Sequence, residues 1–258
     1  MFTVFDQQMM ARALQLAHQG LYSTMPNPRV GCVIARDGQV LGEGFTQPAG
    51  QDHAEVQALK ACLAAGRNTA GATAYVTLEP CSHYGRTPPC AKALLEAGIK
   101  RVVAAMVDPN PLVAGKGLAM LAEQGLETAS GLMANEAREL NIGFVSRMER
   151  GRPWLRLKLA SSLDGKTALL NGQSKWITGE AARKDVHRWR ARSCALLTGS
   201  GTVLADDPEL TVRLIEAPRQ PQRIMIDTRL RVPAGAKIIA PGTLVVCGDA
   251  QPTTPTQS

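Results

Sequence analysis

Apolar residues recur at helical spacing through residues 6–19 (Met9, Met10, Ala13, Leu14, Ala17), which predicts a core-packing helix with Asp6 as its N-cap. A loop fixed by Pro26 and Pro28 then runs into an apolar strand over residues 30–34. Asp37-Gly38 reads as a hairpin turn leading to a second strand at 40–45. Residues 53–65, HAEVQALKACLAA, predict a helix with His53 in its first turn, and 74–78 a buried strand ending at Glu79-Pro80. Residues 90–97 predict a helix, with Pro89 just before it and Gly98 as its stop. Strands follow at 101–107 and 126–130, and helices at 115–124 and 135–148. Alternating strands and helices predict a layered α/β domain over 1–148, closed by the polar, breaker-rich stretch 147–153.

A second α/β domain is expected over 152–258. It opens with a strand of alternating character at 154–160 and a turn at 161–167. Thr178 is the expected N-cap of a helix reaching Arg192 or Ser193. Strands are predicted at 194–198, 223–227 and 243–247. The glycines of Gly199-Ser200-Gly201 suit a loop that lets backbone approach a ligand, although many such loops bind nothing. The Pro/Thr/Gln-rich end, 251–258, is expected to be disordered.

Composition narrows the function classes. The 258 residues are 45% hydrophobic and 20% charged, enough for a sizeable core. No signal-peptide pattern or long apolar run is present, so a soluble, cytoplasmic protein without a membrane partner is expected. Six cysteines in such a chain are weak grounds for disulfides. The net charge of +7 suits an anionic ligand, whether a phosphate ester or a polynucleotide. Aromatic residues are only 4% and no dense Lys/Arg run occurs, which disfavours a nucleic acid and favours a small molecule.

Two short stretches carry the chemistry: His53-Ala54-Glu55, and the run from Glu79-Pro80-Cys81 to Pro89-Cys90. His53, Cys81 and Cys90 offer one imidazole and two thiolates, and three protein ligands leave a tetrahedral zinc ion one position for water. Glu55, two residues from His53, is placed to handle protons there. His-x-Glu followed by Pro-Cys and a second Cys is the zinc deaminase signature, here with eight residues between the cysteines instead of two. His53 and Cys90 are both expected at helix N-termini, which favours thiolate at Cys90. The intervening loop would hang Ser82, His83 and Arg86 over the metal. Two readings stay open for Asn27, a plain turn residue or an amide that reads the polar edge of a base. Lys116 is likewise either a phosphate contact or a solvated surface lysine.

Taken together, NPRVGCVI, HAEVQAL, YVTLEPCSHYGRTPPC, DPNPLVAGKG, LKLASSLDGKTA, SKWITG and TGSGTVLADDPELTVR resemble the bifunctional riboflavin-biosynthesis deaminase–reductases over nearly the whole chain. The resemblance implies a cytidine-deaminase-like three-layer domain followed by a dihydrofolate-reductase-like α/β domain. It implies zinc-dependent deamination of 2,5-diamino-6-ribosylamino-4(3H)-pyrimidinone 5′-phosphate, then NADPH-dependent reduction of the ribosyl group to ribityl. In the second domain it implies NADPH contacts at Ala160, Trp176, Thr202, Asp206 and Thr228, and substrate contacts at Ser174, Arg190, Leu210 and Arg213. The family's reductase domain runs on past the point where this chain stops, so that domain is expected to be incomplete. The expected partners are the pyrimidine nucleotide and further copies of the chain in a homo-oligomer. The alternatives are a tRNA or single-stranded-DNA deaminase and a non-enzymatic zinc- or nucleotide-binding module.

Overall fold

The computed structural model describes residues 1–82 and 88–248. Two compact units divide between Leu157 and Lys158.

The first unit contains α1 (Val4–Gln19), β1 (Gly31–Arg36), β2 (Gln39–Phe45), α2 (Ala54–Ala64), β3 (Thr73–Val76), α3 (Cys90–Glu96), β4 (Arg101–Ala104), α4 (Lys116–Glu123), β5 (Glu127–Ser130), α5 (Ala134–Leu140) and α6 (Ile142–Arg150). Its five strands lie in the order β2-β1-β3-β4-β5. β1 is antiparallel to β2 and β3, whereas β3, β4 and β5 run parallel. The hairpin turns at Asp37 and Gly38, both at positive φ (52° and 76°), as a two-residue turn of the primed type requires.

Register shows why helices cover both faces. Gly31 pairs with Phe45, and a Cβ on Gly31 would lie 1.9 Å from the Ala13 carbonyl oxygen of α1. The next pair, Cys32 with Gly44, faces the other way, and a Cβ on Gly44 would lie 2.5 Å from the Ala54 carbonyl oxygen of α2. The two helices therefore press directly on backbone from opposite sides. Cys32, Val33, Ile34, Val76, Val102, Val103 and Ala104 between them are fully buried.

Two expectations are corrected here. Asp6 is not the N-cap of α1: Thr3 is, and Asp6 is its capping-box partner three residues on. The buried Asp6 carboxylate is occupied further in, accepting from Tyr75 Oη (2.7 Å) and Arg101 Nη1 (2.6 Å). The single helix expected over 135–148 is two, broken at the buried Asn141. The Asn141 carboxamide bonds both the N–H and the C=O of Arg29, each at 2.8 Å, and so fastens the strand entry.

The second unit holds α7 (Glu180–Arg192), β6 (Ala195–Gly199), α8 (Ser200–Asp206), β7 (Gln222–Ile226) and β8 (Leu244–Val246), with the three strands parallel in that order. Its core is small: Val203, Met225, Ala236 and Ile238. The strand expected at 154–160 is not formed. Its alternating Leu155, Leu157 and Leu159 are exposed, and no neighbouring strand supplies ladder hydrogen bonds among the described residues. Gly179, not Thr178, caps α7, and the Gly199–Gly201 stretch winds into α8 instead of staying an open loop. No helix among the described residues is long and apolar enough to cross a membrane. The tail at 251–258, with His83 and Arg86, lies outside the described residues.

Candidate metal centre

α2 delivers two groups. His53 is its N-cap residue in extended backbone conformation, and its ring makes no capping hydrogen bond. Glu55 lies in the first turn and is 4% exposed. The close approach of α2 to Gly44 seats this turn against the sheet. The chain leaving β3 delivers Cys81, and Cys90 is the first residue of α3, behind Pro89 at φ −58°.

These segments bring His53, Cys81 and Cys90 together, with one donor atom from each lying within 4.8 Å of the others. His53 Nδ1 is 3.8 Å from Cys81 Sγ and 3.3 Å from Cys90 Sγ. A tetrahedral zinc ion with ordinary Zn–N and Zn–S bonds sets such N···S edges at about 3.6 Å, so the donors are already spaced to hold one. Their chemistry agrees. Cys81 Sγ accepts the Cys90 backbone N–H (3.2 Å). The Cys81 thiol is pulled well down, first by the Cys90 thiol bonding to it and then by His53 and that N–H. The Cys90 thiol is pushed up, because ionising it beside Cys81 and Glu55 crowds negative charge into a buried space. A divalent cation relieves that crowding and holds both sulfurs as thiolates. Burial and the Cys81 charge raise Glu55 to about 7, and such a cation would draw it back toward the ionised form.

The other first-unit candidates separate. Asn27 is half-buried, its backbone tied to Thr24 (2.9 Å) at the entry to β1. Lys116 reaches back to the Leu112 carbonyl oxygen (2.8 Å). The N–H groups that open α4 are taken by Glu79.

In the second unit, Thr202 in the first turn of α8 and Thr228 just after β7 are exposed near the C-terminal ends of parallel strands, and the exposed Asp206 ends α8. Open α/β sheets bind ligands at such ends. Arg190 on α7 donates to the Thr211 carbonyl oxygen (2.9 Å), and Leu210 beside it has left-handed φ (51°). Burial and the nearby Arg213 lower the Arg190 pKa, so the two guanidiniums share one neighbourhood. Ala160, Ser174 and Trp176 lie on the irregular stretch before α7, with Arg183 stacked 4.5 Å from the Trp176 ring. Composition and spacing did not reveal Glu79, Asn141 or the buried His187, whose Nδ1 accepts the Arg213 N–H (3.1 Å).

Fold and site together define a zinc-binding deaminase domain joined to a second α/β unit. Residues 3–106 match the cytidine and deoxycytidylate deaminase zinc-binding region, and residues 153–257 match the RibD C-terminal domain. The chain is 54% identical over 246 residues to riboflavin biosynthesis protein RibD of Escherichia coli, covering 91% of this chain and 66% of that protein. It is likewise 54% identical to Haemophilus influenzae RibD, over 90% of this chain and 64% of the other. Among solved structures, Acinetobacter baumannii RibD is 50% identical with a TM-score of 0.86, over 96% of this chain and 75% of that one. A deaminase/reductase from Thermotoga maritima is 41% identical with a TM-score of 0.87, over 94% and 69%. The chain belongs to the RibD family of riboflavin biosynthesis proteins, and His53, Cys81 and Cys90 form its zinc site. It spans about two thirds of the length of these curated relatives.

Proposed function

We propose that the first unit hydrolytically deaminates 2,5-diamino-6-ribosylamino-4(3H)-pyrimidinone 5′-phosphate, and that the second takes NADPH to reduce the ribosyl group of the product to ribityl. The observation that carries the first activity is the convergence of His53, Cys81 and Cys90 beside the buried carboxyl of Glu55. The Thermotoga relative is named as a diaminohydroxyphosphoribosylaminopyrimidine deaminase and 5-amino-6-(5-phosphoribosylamino)uracil reductase, which supplies the substrate class.

Zinc, when bound, supplies a Lewis acid that brings the ionisation of a water near neutral pH. Glu55 takes the proton of the water that adds to the amino-bearing ring carbon, then returns it to the departing amine. Water is consumed, ammonia leaves, and the ring gains a carbonyl. Because Glu55 is buried, its proton is held for that transfer and not lost to bulk solvent. Asn27, at the entry to β1, is assigned to the edge of the pyrimidine.

In the second unit Thr202 and Thr228 near the strand ends, with Asp206 at the end of α8 and with Ala160 and Trp176, are assigned to NADPH. Ser174, Leu210, Arg190 and Arg213 are assigned to the substrate. Two guanidiniums held near each other suit a phosphate, since their fork of donors matches its oxygens. Supplying the pathway nucleotide with and without NADPH tests both halves. Ammonia release is expected in both mixtures, and NADPH oxidation only after deamination. Absence of ammonia in both removes the first assignment, and ammonia without NADPH oxidation removes the second.

A further inference from the structure

Glu79 is two residues before Cys81, just past the end of β3, and it is 4% exposed. Its carboxylate accepts four backbone N–H groups. Oε2 takes those of Asp108 (3.0 Å) and Gly115 (2.9 Å), and Oε1 takes those of Gly117 (2.7 Å) and Leu118 (3.2 Å). An ionised carboxylate has about four lone-pair sites, so every one is used. Its own N–H donates to the Met106 carbonyl oxygen (3.0 Å). Gly117 lies flat against the neighbouring residue, where an added Cβ would come within 1.9 Å of the Pro80 carbonyl oxygen.

The zinc-ligand segment, the 108–115 loop and the first turn of α4 are thus fastened to one another through a single side chain. The loop leaves the C-terminal end of β4, beside the parallel strand β3 that leads to Cys81. Such a place borders the ligand crevice in an open α/β sheet. The loop is itself stiffened by Asp108 Oδ1 accepting from Asn110 N–H (2.8 Å) and Asn110 Oδ1 accepting from Leu112 N–H (3.1 Å). The first backbone N–H groups of α4 are all taken, that of Lys116 by the Val113 carbonyl oxygen and those of Gly117 and Leu118 by Glu79, which leaves none for a substrate phosphate.

We infer that Glu79 is a positioning residue that holds the 108–115 loop over the deaminase crevice in fixed relation to Cys81. This role rests on the deaminase assignment above. Glu79→Gln keeps one acceptor oxygen but turns an NH2 group toward two N–H donors, releasing one side of the loop. The expected result is a KM for the nucleotide raised about tenfold or more, with kcat changed less than about threefold. Zinc stoichiometry and the cobalt–thiolate absorption of the cobalt-substituted protein should match wild type. Glu79→Asp, which keeps the charge and shortens the reach, should give an intermediate KM and serves if the Gln variant does not fold. A merely structural role would lower the folded fraction and leave KM in place. The inference is overturned by a KM within twofold of wild type in either variant, or by altered cobalt absorption with KM unchanged. Wild-type protein that releases no ammonia removes the deaminase assignment, and this role with it.

Discussion

Burial and the Cys81 sulfur push the Glu55 carboxyl toward its neutral form, while a backbone N–H, His53 and the Cys90 thiol at hydrogen-bond distance pull it the other way. A buried carboxyl poised near neutral pH suits the proton-transfer role proposed above. Glu55→Gln preserves shape and leaves the three metal donors untouched. It should lower kcat by about 10²–10⁴-fold, the usual worth of a positioned acid–base group, with zinc content unchanged by metal analysis. The residues of this centre were readable from sequence because their chemistry is local: His53 and Glu55 are two apart, and Cys81 and Cys90 each flank a proline-marked element boundary. Glu79 was not readable. Its partners are backbone N–H groups 29 to 39 residues away, and no residue type marks them.

At the scale of elements, periodicity located helices of the first unit that bury one face, and short apolar runs located its central strands, which are buried on both. It failed where a side chain outweighed the pattern, as when Asn141 broke one amphipathic run into α5 and α6. It failed again at 154–160, where alternation without a neighbouring strand does not make a strand. Glycines set the tightest element contacts, and Gly44→Ala tests this. Its Cβ would meet the backbone of Ala54 and Ala58 at 2.5 Å, so the helix bearing His53 and Glu55 must shift. Urea unfolding should show a loss of about 1–3 kcal/mol, together with weakened zinc binding. In the second unit the backbone of Thr211, Val212 and Arg213 is held by Arg190, by both ends of the Gln220 carboxamide, and by His187. His187 must be neutral at Nδ1 to accept, and burial with Arg190 and Arg213 pushes its pKa down to about 4. In the unfolded chain it titrates near 6.5, so only the unfolded state gains the proton as pH falls between the two values. The stability of this unit should therefore be full above about pH 6.5 and decline toward about pH 4. In His187→Gln, which accepts at any pH, that decline should be absent from urea midpoints measured across the window.

At the scale of the whole molecule, the two units differ in how far they support themselves. The first has a five-stranded sheet buried between helices on both faces, and its metal donors sit at the start of α2, on the chain leaving β3 and at the start of α3. Among its described residues the second has three strands, a small core, and exposed Leu197, Leu244 and Val246 on its sheet. The zinc site is therefore the feature that the structure supports most fully, and the proposed deamination rests on it. The most direct measurement is ammonia release from the pathway nucleotide by the same protein zinc-loaded, stripped by a chelator, and reloaded. Many turnovers per zinc, lost on stripping and regained on reloading, are predicted. No ammonia from the loaded protein, or equal release after stripping, would contradict the account.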